Sequence, residues 1–113
     1  MMTLLNTTFS IDDNVLERFK TFVADVIAPA AKHGRMEHIS LGAIQGARDV
    51  NAITGQPASS YALQMYAPSR LVLKNYMANI EPALMAQLME QFGTGVAMFT
   101  TAIDIIWTAD DAK

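Results

Sequence analysis

The hydrophobic period of this sequence changes four times along the chain, and this succession limits the available folds more than any other feature. The segments that alternate with the two-residue period of a β-strand are 3–11, 36–45, 59–67 and 96–107. Two segments carry apolar stripes at helical spacing, one between the first and second strands and one between the third and fourth. The resulting order is strand, helix, strand, strand, helix, strand.

This order predicts an α+β fold of the ferredoxin-like βαββαβ kind. We expect a four-stranded antiparallel sheet with strands one and three at the centre and both helices on one face. Two such sheets packed together would give a dimeric α/β barrel. A chain of 113 residues corresponds to one domain. We assign residues 1–107 to that domain and residues 108–113 to a polar C-terminal tail.

Local signals set the expected boundaries of these elements. Asp12 and Asp13 are typical of a helix N-cap and first turn, and Ser69 is a second candidate N-cap. Pro82 cannot donate its backbone N–H, so we expect a kink or a restart of the second helix there. The turn formers and polar residues between Gly46 and Pro57 predict a long exposed hairpin loop.

The sheet face without helices is expected to be mixed in polarity. Its apolar residues in this register are Leu4, Ile44, Ala62, Tyr66, Val96, Met98, Ala102 and Ile106. Its polar residues are Asn6, Thr8, His38, Ser40, Gln64, Thr100 and Asp104. The apolar group is larger than a monomer usually exposes, so we predict a homodimer through this face. A slip of one residue in any strand would exchange its two faces.

Five polar side chains on this face form the candidate ligand-binding cleft: Asn6, His38, Gln64, Tyr66 and Asp104. Polar groups that converge in an apolar cavity are typical of a small-molecule site. The alternative is that they hydrogen-bond to one another across the dimer. His38 would serve as a ligand or a general base in the first case and as a hydrogen-bonded or partly exposed histidine in the second.

Composition excludes several classes of function. A net charge of −3 without any basic block disfavours binding to nucleic acid or to an anionic membrane. The absence of cysteine removes disulfides, thiolate metal sites and a cysteine nucleophile. The two histidines, His33 and His38, do not form a metal motif, so we expect neither metal nor cofactor. No targeting or membrane-spanning segment is evident, and a cytoplasmic location is expected.

Motifs over nearly the whole chain resemble a family of short bacterial proteins that is catalogued as a domain of unknown function. The residues that fill the motif positions are Tyr61, Gln64, Tyr66, Ser69, Pro82, Ala83, Leu84, Phe92, Phe99 and Thr101. Two departures concern histidines that the family pattern often carries. One would lie before Pro29 and the other at Ile80, and this chain has neither.

The resemblance implies a ferredoxin-like fold and no assigned activity. More broadly, the chain is similar to dimeric α/β-barrel proteins, which include cofactor-free monooxygenases, haem-degrading enzymes and stress-response proteins; this is an analogy of fold. Three hypotheses remain open. The first is a homodimer that binds a small molecule, or nothing, between its sheets. The second is a cofactor-independent oxygenase or isomerase in which His38, Tyr66 and Asn6 position the substrate. The third is a protein-interaction module.

Overall fold

A computed structural model describes residues 2–109 and contains the predicted succession of strands and helices. The strands are β1 (Thr3–Asp12), β2 (Glu37–Val50), β3 (Pro57–Ala67) and β4 (Val96–Asp104). The helices are α1 (Leu16–Phe22), α2 (Ala28–His33), α3 (Arg70–Asn75) and α4 (Glu81–Phe92). The strand order is β2-β3-β1-β4, all antiparallel, which confirms the predicted fold. Within one chain the sheet is open, so the expected barrel is not formed by this chain alone.

The central pair, β1 and β3, runs through ten consecutive residue pairs without a shift of register. Side chains alternate between the two faces of a strand, so every second residue of β1 enters the core. Leu5, Phe9 and Ile11 are almost fully buried, while Asn6 and Thr8 between them are half-buried on the opposite face. The predicted faces of β1 are therefore confirmed.

Four phenylalanines join the helices to the sheet. The Phe9 and Phe19 ring centroids are 4.9 Å apart in an edge-to-face arrangement. Phe92 of α4 makes similar contacts with Phe19 at 6.2 Å and with Phe22 at 5.9 Å. Edge-to-face pairs stabilise beyond the burial of area alone. This cluster fixes both helical segments on the same face of the sheet.

Each helical segment contains a proline that the helix accommodates through a wider turn. A π-helical turn, Val23–Ile27, joins α1 to α2, and Pro29 follows it in the first turn of α2. A second π-helical turn, Tyr76–Ile80, precedes α4 and Pro82. Proline removes one hydrogen bond and crowds the carbonyl four residues earlier, which in both cases lies within the π turn. The predicted restart at Pro82 is thus confirmed. No helix in the described range is both long and apolar enough to cross a membrane.

The two expected N-caps behave differently. Ser69 caps α3, because its Oγ accepts a hydrogen bond from the Val72 N–H at 3.2 Å. Asp12 caps nothing, which corrects that expectation. Its carboxylate is buried and instead accepts hydrogen bonds from Asn51 Nδ2 at 2.9 Å and Thr54 Oγ1 at 2.7 Å. Asp12 therefore holds the tip of the β2–β3 hairpin against the end of β1.

The hairpin between β2 and β3 is present, but the expected bounds of its loop, Gly46 to Pro57, were wrong. β2 continues to Val50 and β3 begins at Pro57, so only six residues, 51–56, form the connection. Arg48 explains part of the extension, since it donates to Asp13 Oδ2 at 2.7 Å and to Ser59 Oγ at 2.8 Å. The pairing of this long strand with β3 is interrupted twice, once between Glu37 and Ser40 and once between Ala43 and Arg48.

The predicted faces of β4 were also wrong, and the strand ends at Asp104 instead of Trp107. Opposite β1, Val96 pairs with Ile11 and Thr100 with Thr7, so these β4 residues point toward the helices. Met98, Ala102 and Asp104 follow them by alternation. The helix-free face of β4 is instead formed by Ala97, Phe99, Thr101 and Ile103. Of the predicted tail, residues 110–113 lie outside the described range.

Replacement of the buried Ile27 by alanine should strongly destabilise the fold. Ile27 is 0% exposed within the core, so Ile27→Ala leaves a cavity and should lower the unfolding free energy by about 2–5 kcal/mol. Urea denaturation followed by circular dichroism measures this loss. Ile53 is 76% exposed, and Ile53→Ala should change stability by less than about 0.5 kcal/mol. Equal losses in the two variants would contradict the assigned core.

Glu81 should make stability depend on pH. Burial raises the pKa of the Glu81 carboxyl, so this group keeps its proton to a higher pH in the folded chain than in the unfolded chain. The stabilisation is fully present below the ordinary glutamate pKa and is lost as the pH rises through the raised value. Glu81→Gln should therefore be more stable than the wild type at neutral pH and equal to it in acid. Denaturation of both proteins across this range tests the sign, with the exposed Glu90→Gln as the control.

Candidate functional site

The helix-free face of the sheet forms a regular grid of side chains across all four strands. Its rows, from β2 to β4, are Glu37, Tyr66, Leu4 and Ile103; then Ser40, Gln64, Asn6 and Thr101; then Gly42, Ala62, Thr8 and Phe99. The middle row is polar throughout. The first and third rows carry the large apolar and aromatic groups. The face is therefore a polar strip between two more apolar margins.

Two of the predicted cleft residues, Asn6 and Gln64, meet at the centre of this strip. Gln64 Nε2 donates to Asn6 Oδ1 at 3.0 Å, across the β1–β3 pair. Asn6 Nδ2 in turn donates to Thr8 Oγ1 at 3.2 Å. Both side chains are half-buried. Each amide retains hydrogen-bonding capacity beyond these bonds, since an amide offers two N–H donors and two acceptor lone pairs.

Tyr66 and His38 also meet, at the margin of the face. Their ring centroids are 5.9 Å apart and their planes nearly perpendicular, at 88°. His38 lies in the first register interruption of β2 and has a φ of 52°, a conformation that side-chain-bearing residues rarely adopt. His38 of β2 and Tyr66 of β3 lie on neighbouring strands, and the register interruption in β2 places the imidazole beside the Tyr66 ring. His38 is exposed, so this contact leaves the ring accessible to solvent.

Asp104 does not join the other four residues. It lies opposite Thr3 on the helix side of β4, where its Oδ1 accepts from Thr3 Oγ1 at 2.8 Å. Its other oxygen is 3.9 Å from Arg70 at the start of α3. Asp104 lies on this side because the faces of β4 are exchanged relative to the prediction, which corresponds to a shift of one residue. Of the five predicted residues, the structure therefore brings together Asn6 with Gln64 and His38 with Tyr66.

Sequence reasoning missed several members of this face. Thr101, Phe99 and Ile103 come from β4, whose faces were exchanged, and Glu37 lies opposite Tyr66 in a bulged region. Phe99 is 63% exposed and Ile103 is 44% exposed. The size of these two side chains suggests burial in a core. Only the pairing of β4 with β1 reveals that they point away from it.

The face is shallow within a single chain. One depression of about 190 Å³ lies on it, beside Thr8, Ser10 and Phe99. Drug-sized ligands usually occupy about 300–1,000 Å³. Three larger depressions, of about 420, 620 and 330 Å³, lie on the helical layer and involve none of the predicted cleft residues. Among the described residues, no group of histidine and carboxylate side chains is arranged to hold a metal.

The fold has a close counterpart among solved structures. A dimeric ferredoxin-like protein from an uncultured marine organism superposes with a TM-score of 0.71. The match covers 96% of this chain and 98% of that chain, at 15% sequence identity. At this identity the likeness establishes the fold and leaves the function open.

Family membership is evident from the sequence as a whole. No curated protein matches the chain. The model of one family matches residues 2–106, which is nearly the full length. The chain therefore belongs to the family described as a domain of unknown function, DUF4286.

Proposed function

We propose that this protein is a homodimeric domain that pairs through its helix-free sheet face and binds a small uncharged molecule between the two sheets. The observation that carries the proposal is the grid on that face, with apolar margins around a hydrogen-bonding centre. Burial of the apolar margins would stabilise the association of two copies. The central amides would hydrogen-bond to a polar group of the ligand once water is excluded.

The size of the face suits a second copy of the chain. Strands about 4.8 Å apart with a rise of about 3.3 Å per residue make this face roughly 19 by 30 Å. A stable interface buries about 800 Å² per partner. The accessible area of this face approaches that value, because protruding side chains add to the flat area of the sheet. The similar ferredoxin-like protein is described as dimeric, which supports a homodimer for this chain.

The charge of the face also favours a second copy. Its three rows contain one formally charged residue, Glu37, which lies at the β2 edge and is exposed. Two identical faces can therefore approach about a twofold axis without placing like charges at the centre of the contact. Phe99 and Ile103 would lose their present exposure, and burial of such groups stabilises by about 25 cal/mol per Å² before association costs.

The middle row indicates the chemistry of the ligand. Asn6, Gln64, Ser40 and Thr101 present neutral donors and acceptors, and Tyr66 adds an aromatic wall. A neutral planar molecule with an amide or hydroxyl group would match these partners. A charged ligand would find no opposite charge in the middle row, which makes its desolvation costly.

Phe99→Glu should dissociate the dimer. The substitution places a carboxylate in the proposed apolar margin of both copies, and we expect the dissociation constant to rise at least about a hundredfold. Light scattering after size exclusion measures the mass at micromolar concentration. The matched control is Met89→Glu on the outer side of α4, where Met89 is 53% exposed. A monomeric wild type, or an undiminished Phe99→Glu dimer, would contradict the proposed interface.

Small aromatic amides should stabilise the dimer against heat. A ligand at one hundred times its dissociation constant adds about 2.7 kcal/mol to the unfolding free energy. This gain should appear as a higher melting temperature of the wild type. We expect this thermal shift to disappear in Gln64→Leu, which removes one of the two central amides. Gln87→Leu, an exposed glutamine on α4, should retain it. Retention of the shift in Gln64→Leu would remove the amide pair from the binding site.

A further inference from the structure

The outer edge of β4 lacks the features that usually protect a strand edge. β4 lies at the end of the strand order and, among the described residues, pairs with β1 alone. Lysine, proline or a bulge normally keeps such an edge from pairing with another chain. Residues 96–103 contain no charged residue and no proline, and their register with β1 is unbroken. The opposite edge, β2, is interrupted twice and carries Arg48 and Asp49.

One backbone hydrogen bond shows which residues of β4 direct their polar backbone groups outward. The Ile105 N–H donates to the Met2 carbonyl at 3.0 Å, so these two opposed residues form a hydrogen-bonded pair. Hydrogen-bonded and non-hydrogen-bonded pairs alternate along an antiparallel ladder. Counting back from Ile105 in the register with β1 gives the residues whose N–H and C=O point away from β1. They are Val96, Met98, Thr100, Ala102 and Asp104.

The β4 edge is accessible over its last seven residues. Val96 is 4% exposed, so the edge is covered where the strand begins. From Met98 to Asp104 every residue is half-buried or exposed. The accessible part of the edge therefore contains four of the outward-facing residues, and its midpoint is Thr101.

A second copy of β4 matches this edge when the two strands run antiparallel about Thr101. In that register Met98 lies opposite Asp104 of the second copy, and Thr100 lies opposite its Ala102. Both residues of each pair direct their N–H and C=O outward, so both pairs become hydrogen-bonded pairs. All four outward-facing backbone positions of the accessible edge thus find partners.

The side chains also match in this register. Directly opposite residues project on the same face of a sheet, so Phe99 meets Ile103 of the second copy, and Thr101 meets its own counterpart. Phe99 and Ile103 are 63% and 44% exposed in the single chain. Aromatic residues beside β-branched residues, and threonine beside threonine, are pairs that stabilise sheets. The two Asp104 carboxylates lie six residues apart, roughly 20 Å, which is beyond the screening length of about 8 Å.

We propose that β4 pairs with β4 of a second copy, antiparallel about Thr101, and so extends the four-stranded sheet to eight strands. This contact goes beyond the proposed function, because it uses the edge of the sheet and leaves the helix-free face open. The two contacts are compatible in an assembly of four copies.

The edge contact is the weaker of the two contacts. Seven residues at about 3.4 Å each, in a sheet about 10 Å thick, give about 240 Å² per partner. This is well below the roughly 800 Å² of a standard interface. We therefore expect a dissociation constant on the order of 100 μM, so that the edge contact is absent at micromolar concentration.

Molecular mass at two concentrations tests the edge contact. The wild type should be a dimer at a few micromolar, and its mass should approach twice that value at roughly 500 μM. Ala102→Pro removes an N–H that points away from β1, so the strand is kept while its edge is blocked. This variant should remain a dimer at both concentrations. Ala102→Ser keeps the N–H and should behave as the wild type does.

Ala62→Glu separates the edge contact from the face contact. Ala62 lies on the helix-free face of β3, opposite Thr8 and away from β4. Ala62→Glu should be a monomer at micromolar concentration and a dimer at the high concentration. If it is a monomer at both, while the wild type stays a dimer, the edge contact is overturned and the proposed function stands. A wild type that is a monomer when dilute and a dimer when concentrated would support the edge contact and overturn the face dimer.

Amide hydrogen exchange in Ala62→Glu locates the contact along the strand. Exchange of the Thr100 and Ala102 amides should slow about threefold at the high concentration, in proportion to the fall in the monomer fraction. The Phe99 and Ile103 amides bond to β1 and should change little. Exchange at Thr100 and Ala102 that is independent of concentration, or protection that appears along β2 instead, would overturn the proposal.

Discussion

The uninterrupted pairing of β1 with β3 is the constraint on which the other features of this molecule depend. Ten pairs in one register decide, residue by residue, which side chains enter the core and which leave it. Phe9 enters the core and packs against Phe19 for this reason. Asn6 and Gln64 become neighbours on the opposite face for the same reason. The core and the candidate site are therefore two sides of a single hydrogen-bonded ladder.

Sequence patterns predicted the parts of the fold that depend on local signals. β1 alternates cleanly between apolar and polar residues, so its faces were correct, and the Ser69 cap and the Pro82 restart were correct as well. β4 offered no such contrast, because Met98 and Phe99 are both plausible core residues. Only the register with β1 distinguishes the two faces, and register is a long-range property.

The contrast between local signals and long-range register also explains which residues of the candidate site were predicted correctly. Asn6, Gln64 and Tyr66 come from the two central strands, whose alternation is regular, and the structure brings them together. Asp104 was assigned through β4 and lies on the other side of the sheet. The hairpin length failed for a related reason: Arg48 and Asn51 make side-chain bonds to residues distant in sequence, which outweigh local turn preference.

The two edges of the open sheet have unequal capacity to recruit another strand. β2 presents an outer edge broken by two bulges, whereas β4 presents nine residues without an interruption or a proline. Endless head-to-tail growth requires two different edges that fit one another, and a broken edge does not fit. Contact through β4 can join only like to like, which ends after two copies. The bulges in β2 thus make its outer edge the poorer template for a further strand, and one of them also places His38 beside Tyr66.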